Sequence, residues 1–397
     1  MNHLPAILGD KPLFAKRLHI ARPLLPKLSD LSADLSECLD GAILSKGPQL
    51  EMLEQEVAEY LGVRNAIAVS NCTSGLMLAY QALGLTGEAV IPSFTFMATA
   101  SALIWTGVRP VFAEIDSGTM NVEPSAVEAA ITPETSAIIA IHNSGNPADI
   151  DALQLIATRH KLCLIFDAAH AFGSSYQQTP VGAQGDVQIF SLSPTKVLAA
   201  GEGGIVATND DLLARKIRVG REYGNRGDYD SEVPGINARL PEFSALLGRH
   251  SLRMLDKAVS HRNELAQLYR QRLAQLPGLA FQEVREGNLS CYKDFSIMID
   301  AGAFGLTRDE LAAALSAENI ETRTYFDPPV HRQIAYRQYA PTAGTLRKTE
   351  VLSETILNLP IWSHMDLSIA SEVCLAIEAA HAHAQSIRHS LRQAATA

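Results

Sequence analysis

No two of the five cysteines, Cys38, Cys72, Cys163, Cys291 and Cys374, stand in a C-x-x-C pair, so the spacing suggests neither a disulfide framework nor a zinc site. Residues 1–14 lack the basic start, continuous apolar core and small-residue cleavage site of a secretory signal. No apolar run approaches the length of a membrane span. Positive charge is the scarcer sign. With 33 Lys plus Arg against 43 Asp plus Glu, the formal charge is −10, and no basic patch of the kind that holds nucleic acid or an anionic membrane is present. Internal repeats and low-complexity tracts are missing too. These absences predict a cytoplasmic protein in a reducing compartment, with no metal, nucleic-acid or membrane partner.

What is present is ordinary globular composition, with 47% hydrophobic and 19% charged residues. The length of 397 residues exceeds one compact core of usual size, so two domains are expected. Short apolar runs bounded by turn residues, at 66–69, 89–91, 110–113, 137–141, 162–166, 187–190 and 204–207, alternate with helical patterns at 75–83, 98–105, 124–131 and 149–160. Alternation of this kind predicts an α/β fold, a mainly parallel seven-stranded sheet covered by helices on both faces. Residues 51–61 add a helix with Leu53, Val57 and Leu61 on one face. A long helical stretch from 242 to about 276 follows, and beyond Pro277 come separated strands such as 293–299 and helices such as 308–317 and 368–382. That texture predicts a smaller α+β C-terminal domain. The division is placed at 1–255 for the N-terminal segment with the large domain and 256–397 for the small one. The Ala-rich tail after Ile377 reads as a final helix.

The chemistry centres on Lys196, in the polar and glycine-rich loop Phe-Ser-Leu-Ser-Pro-Thr-Lys-Val-Leu-Ala-Ala-Gly-Glu-Gly-Gly, and on Asp167, which ends an apolar strand and leads into small residues. A lysine alone is most often a solvated charge, but ligands of α/β proteins bind at the carboxyl ends of strands. The pair suggests a lysine that holds a cofactor aldehyde as a Schiff base and a carboxylate that keeps the cofactor's pyridine nitrogen protonated. Such a lysine needs a lowered pKa, from partial desolvation and nearby positive charge, to move protons during turnover. His170 stands three residues past Asp167, within reach of the same ring or its phenolic oxygen. The run Asn71-Cys72-Thr73-Ser74-Gly75 follows a strand and opens a helix, which points free N–H groups and hydroxyls at an anion. Ser and Thr also cap helices with no ligand at all. Ser191 offers another hydroxyl, and Phe96 offers a ring that either stacks on the cofactor or packs in the core.

In these motifs, and from about Ser45 to Pro360, the chain resembles the DegT/DnrJ/EryC1/StrS family of pyridoxal-phosphate-dependent sugar aminotransferases, of the aspartate-aminotransferase-like fold type I. The landmarks run in the family's order: Lys46-Gly47-Pro48, Asn71 to Leu76, Pro92 to Phe96, Gly145-Asn146-Pro147-Ala148-Asp149, Asp167-Ala168-Ala169-His170, Phe190 to Lys196, Gly201 to Gly204, Gly235 to Leu240, Pro328-Pro329-Val330-His331 and Leu359-Pro360. The resemblance implies that pyridoxal 5'-phosphate is held covalently by Lys196 and paired at its ring nitrogen with Asp167. It implies that His170 lies beside the cofactor, that Phe96 stacks on it, and that Thr73, the Cys72 amide and Ser191 bind its phosphate. Asn237 matches an asparagine that reaches the phosphate of the neighbouring subunit, so a homodimer with shared active sites is implied. The phosphate turn departs from the family's usual Ser-Gly-Thr-Ala-Ala but keeps Thr73. A dehydratase branch of the family has histidine in place of the lysine; Lys196 favours transamination.

The reaction implied is transfer of an amino group, from L-glutamate, to a nucleotide-linked 4-keto or 3-keto sugar. Lys46, Arg239, Tyr325 and His331 are the candidate substrate contacts. Two other readings stand beside it: a keto-cyclitol aminotransferase of the same family, and a binding or regulatory protein that keeps the fold without turnover. The second fits poorly with an intact set of Asp167, Lys196 and Ser191, since binding alone needs no displaceable lysine.

Overall fold

The computed structural model describes residues 3–396. Its main sheet comprises β1 (Asn65–Val69), β2 (Glu88–Pro92), β3 (Arg109–Ala113), β4 (Thr135–Ile141) and β5 (Cys163–Asp167). After a two-stranded hairpin of β6 (Ser175–Tyr176) and β7 (Thr179–Pro180), β8 (Val187–Ser191) and β9 (Gly204–Thr208) complete it. The order is β1-β9-β8-β5-β4-β2-β3. All neighbours are parallel except at β9, which is antiparallel to both β1 and β8. The cause is local. A parallel return needs a long crossover, usually a helix, whereas the loop 192–203 between β8 and β9 contains none, so the chain reverses. Lys196 lies on that reversing loop.

Strand residues alternate between two cores, as the period of two requires. Ile67, Val69, Ile91, Ile165, Ile189 and Val206 pack against Leu76, Tyr80, Leu103 and Ile217, on the helices Cys72–Leu83, Ala98–Trp105 and Asp211–Gly220. Ala66, Ala68, Val90, Ile138, Leu164 and Ile205 face the opposite way, onto Leu53, Val57, Leu153 and Ala245 of the helices Pro48–Leu61, Ile150–His160 and Glu242–Leu252. Because both faces are covered, β2, β8 and β9 are buried along their whole length, which is why apolar residues stand at neighbouring positions in them instead of alternating with polar ones.

A separate core forms around the antiparallel strands β10 (Leu279–Phe281), β11 (Phe295–Ile299) and β12 (Ile356–Leu359) with the helices Arg308–Ala317, Leu367–Ala382 and Ala384–Thr396. The helix Leu255–Leu273 serves both units. Its Leu255, Ala258 and Val259 pack in the sheet core, and its Leu265, Tyr269 and Leu273 in the small one. Leu18 is buried in the small core, with Ile7, Leu8, Leu13 and Phe14 packed on it. The helix Leu255–Leu273 thus takes part in both cores, and the segment from Ile7 to Leu18 packs with the small one.

The single helical stretch expected at 242–276 is in fact two helices, Glu242–Leu252 and Leu255–Leu273. At the break the Met254 N–H bonds the Ser251 carbonyl three residues back, a tightened last turn rather than a glycine or proline stop. The two pieces thereby face different cores. The helices Leu28–Gly41 and Asp211–Gly220 were not expected; the second starts at Asp210, whose carboxylate accepts from the Leu212 and Leu213 N–H groups.

One glycine ties the fold to the site. A Cβ on Gly204 would lie 2.8 Å from the Asn71 carbonyl carbon and the Cys72 nitrogen, because β9 starts directly behind the turn that opens the helix Cys72–Leu83. Gly204→Ala is expected to push that turn forward. Overpacking of this kind costs about 1–3 kcal/mol, to be read as a lower thermal midpoint, together with weaker cofactor binding in a titration.

Candidate active site

The carboxyl ends of β5 and β8, the turn after β2 and the N-terminus of the helix Cys72–Leu83 converge on one cleft of about 320 Å³. The helix opens at Asn71, whose side-chain oxygen accepts the Ser74 N–H at 2.8 Å, while the Asn71 carbonyl accepts the Gly75 N–H at 3.1 Å. The N–H groups of Cys72 and Thr73 have no partner among the described residues and sit at the cleft wall. Four N–H groups at a helix start lack intrahelical partners by geometry. The Ser191 hydroxyl joins them from the end of β8.

Asp167 closes the floor. It is buried; its Oδ2 accepts from the Thr99 hydroxyl at 2.7 Å and its Oδ1 from the Ala169 N–H at 3.1 Å. Burial pushes its pKa up, against the opposing pull of the Thr99 hydroxyl, the Ala169 N–H and the charge of Lys196. Across the cleft, burial and the positive charge of Lys293 bring the Lys196 pKa down to about 8, against weaker pulls from Asp294, Cys72 and Asp167. His170 is held neutral at ordinary pH, its pKa depressed well below the usual value by burial and then by Lys196 and Lys293. Its Nδ1 faces the Ser144 N–H at 3.3 Å, so the neutral ring carries its hydrogen on Nε2. The ring lies parallel to Phe326, at 6.5 Å between centroids. Phe96 keeps 54% of its surface exposed, an apolar ring presented to the cleft rather than packed in the core.

Cys72, Thr73, Phe96, Asp167, His170, Ser191, Lys196 and Tyr325 thus share one cleft. Four other candidates do not line it. Lys46 and Arg239 pair with Glu222, at 3.5 and 3.1 Å, and the Arg239 guanidinium lies over the Tyr223 ring. Asn237 bridges to Glu222 on the same outer segment. His331 is buried and committed: Nδ1 meets the Ser93 hydroxyl at 2.7 Å, and Nε2 meets Glu350 at 3.3 Å. A histidine pinned at both nitrogens stabilises the turn 328–331 and offers nothing to the cleft. Sequence reasoning missed Thr99, Lys293, Phe326 and Glu202, all at the cleft or on its carboxylate. The adjacent Lys293 and Asp294, at the mouth of the apolar strand β11, were a legible signal: an opposite-charge pair entering a buried strand needs a reason.

A mainly parallel sheet with one reversed strand, a lysine on the reversing loop and a carboxylate ending the neighbouring strand define a pyridoxal-phosphate-dependent transferase of fold type I. The chain matches the DegT/DnrJ/EryC1/StrS aminotransferase family over residues 28–378 and belongs to it. It is 35% identical to the spore coat polysaccharide biosynthesis protein SpsC of Bacillus subtilis (strain 168), over 91% of this chain and 97% of that protein. It is 36% identical to the dTDP-3-amino-3,4,6-trideoxy-alpha-D-glucose transaminase of Streptomyces venezuelae, over 88% and 91%. Among solved structures, DesI in the presence of its TDP-sugar product superposes with a TM-score of 0.90 at 36% identity, covering 98% of each chain. The chain is a sugar aminotransferase that depends on pyridoxal 5'-phosphate.

Proposed function

We propose that this chain moves the amino group of L-glutamate onto a nucleotide-linked 4-keto or 3-keto sugar, making an amino sugar for a surface polysaccharide, glycan or antibiotic. The observation that carries the chemistry is the cleft itself, where Lys196 faces Asp167 beside an open helix N-terminus. The likeness to a dTDP-sugar transaminase along nearly the whole of both chains supports the substrate class.

The residues present fit the cofactor. The free N–H groups of Cys72 and Thr73 and the Ser191 hydroxyl form an anion cradle for its phosphate. The buried Asp167 carboxyl, positioned by Thr99 and Ala169, suits a protonated pyridine nitrogen, and the Nε2–H of His170 suits a phenolic oxygen. The exposed face of Phe96 would cover the ring. When bound, pyridoxal 5'-phosphate supplies an electron-accepting ring that makes the α-proton of a substrate amine acidic. In this reading Lys196 anchors the cofactor at rest. Released from that role, its Nζ would take up and return the proton of the substrate carbon. A pKa near 8 leaves it a usable base at neutral pH.

That value sets a pH dependence. Only the neutral amine attacks an aldehyde, so uptake of cofactor by the unloaded protein is expected to accelerate as pH rises and to level off above about 8. A lysine at its ordinary pKa would keep accelerating well beyond that. Stopped-flow absorbance across pH 6 to about 10 separates the two, with the upper limit set by the usual lysine range.

The reading also includes a cytoplasmic homodimer with shared sites. Lys46, Asn237 and Arg239 stand outside this copy's cleft, where a second copy would bring them into play. The five free cysteines fit a reducing compartment. No described helix is long and apolar enough to cross a membrane.

The deciding experiment loads the protein with pyridoxal 5'-phosphate, converts it with L-glutamate and then offers dTDP-, UDP- and GDP-linked keto sugars beside free keto-cyclitols. Return of the starting spectrum with a nucleotide-linked sugar supports the proposal. Return with a free cyclitol alone would replace the substrate class, and a spectrum that never changes with any amine would favour a binding protein.

A further inference from the structure

Two ammonium groups line the cleft, Lys196 and Lys293. The catalytic reading uses only the first. Lys293 enters from the small unit, just ahead of β11, and its backbone N–H is pinned by the Ser144 carbonyl at 2.9 Å. Its Nζ donates to Asp294 Oδ1 at 2.8 Å, with both side chains only 7% exposed, and sits 5.4 Å from the centre of the Tyr325 ring. A buried ion pair is a poor means of stabilising a fold, because an apolar pair of similar volume usually does as well or better. Its position on the cleft wall suggests another use. Lysine has three N–H donors, and one of them goes to Asp294.

We propose that Lys293 receives a carboxylate of the amino donor and holds it over Lys196, with Asp294 orienting the ammonium. This rests on the donor half of the function proposed above. Charge matching favours a carboxylate over the diphosphate of a nucleotide: one ammonium already shared with Asp294 suits a single negative charge, and Lys196 is the other cation among the lining residues. Lys293 is buried with the Tyr325 ring beside it, and a single ion pair gains strength where the local dielectric is low. The placement also explains how donor binding aids the proton transfer. Burial is the larger cause of the lowered Lys196 pKa and Lys293 the second; a carboxylate that neutralises Lys293 removes that second contribution and makes the released amine a somewhat stronger base.

The test compares Lys293→Met, Lys293→Arg and the double variant Lys293→Met/Asp294→Asn, which avoids leaving a stranded buried carboxylate. Glutarate, a dicarboxylate with no amino group to react, is titrated calorimetrically into the cofactor-loaded proteins. The glutamate concentration giving half the maximal rate of spectral change is measured in parallel. Affinity for glutarate is expected to fall by about tenfold to a hundredfold in Lys293→Met and in the double variant, the range for one charged hydrogen bond, and to recover in Lys293→Arg. The half-maximal glutamate concentration should rise by a similar factor, more than the limiting rate falls. Unchanged glutarate binding in a folded double variant would overturn the proposal, as would a loss confined to the nucleotide sugar. If wild-type protein binds glutarate through Lys293 but glutamate leaves its spectrum unchanged, the carboxylate site stands and the choice of glutamate as donor falls.

Discussion

Lys196→Ala is expected to remove the absorbance of covalently held cofactor and to cut turnover by about 10³-fold or more, since general acid–base participation alone is worth ~10²–10⁴-fold and the anchoring role is lost with it. The fold should not suffer. Among the described residues the Lys196 side chain has no hydrogen-bond or ion-pair partner in the unloaded protein, and it lies on a loop at the cleft wall. Its pKa of about 8 states that the folded protein holds the lysine proton less tightly than the unfolded chain does. The sign follows. Between about pH 8 and the ordinary lysine value the unfolded chain binds more protons, so stability rises with pH through that window, and below it the full penalty of a buried charge is present. At pH 7 the unloaded alanine variant is therefore expected to melt at the same temperature as wild type or higher. Differential scanning fluorimetry and an absorbance spectrum after borohydride treatment test both halves. Turnover surviving in the variant would remove Lys196 from the chemistry.

The parts of this molecule that were legible in the sequence share a physical cause. The seven strands of the main sheet are short, mostly apolar runs because helices cover both their faces, and such runs stand out against turn residues. Lys196, Asp167, Ser191 and Thr73 were legible because each lies within a few residues of a strand end or helix start, where chain direction fixes what a side chain meets. What stayed hidden depended on packing between distant segments. His331 looks like any histidine after two prolines until Ser93 and Glu350 are brought against it. Thr99 sits inside a short helix, and only the return of β5 beside β4 delivers Asp167 to its hydroxyl. The break at Arg253 and Met254 has no glycine or proline; it exists because one helix must face the sheet core and the next must reach the small core.

The same dependence on packing explains why the site combines elements from both units. The sheet unit supplies the open helix start at Cys72 and Thr73, Asp167 and Lys196. Lys293 lies just ahead of β11, the Tyr325 N–H is held by Asn358 of β12, and Phe326 packs with Phe94 and Leu352 between the two units; all three line the cleft.

Asp167→Asn separates the stability of the site from its function. The raised pKa of Asp167 means that the folded protein binds this proton more tightly than the unfolded chain. Stability therefore falls as pH rises from the ordinary carboxylate range through the folded value, and above that value the buried charge is fully present as a penalty. An asparagine fits the same space, still accepts a hydrogen bond from Thr99 or Ala169 and carries no charge. The unloaded variant is expected to melt at or above the wild-type temperature at pH 7, with the advantage vanishing in acid below the ordinary Asp range. Catalysis moves the other way. A neutral amide does not keep a pyridine nitrogen protonated, so the ring loses its capacity to accept electrons, and kcat should fall on the order of 10²–10³-fold, the usual loss when one preorganised electrostatic partner is removed. Cofactor affinity should fall with it. Thermal midpoints with and without pyridoxal 5'-phosphate, set beside single-turnover rates with glutamate, make the comparison. A variant that is destabilised without cofactor yet keeps its rate would assign Asp167 to the architecture of the cleft instead of to its chemistry.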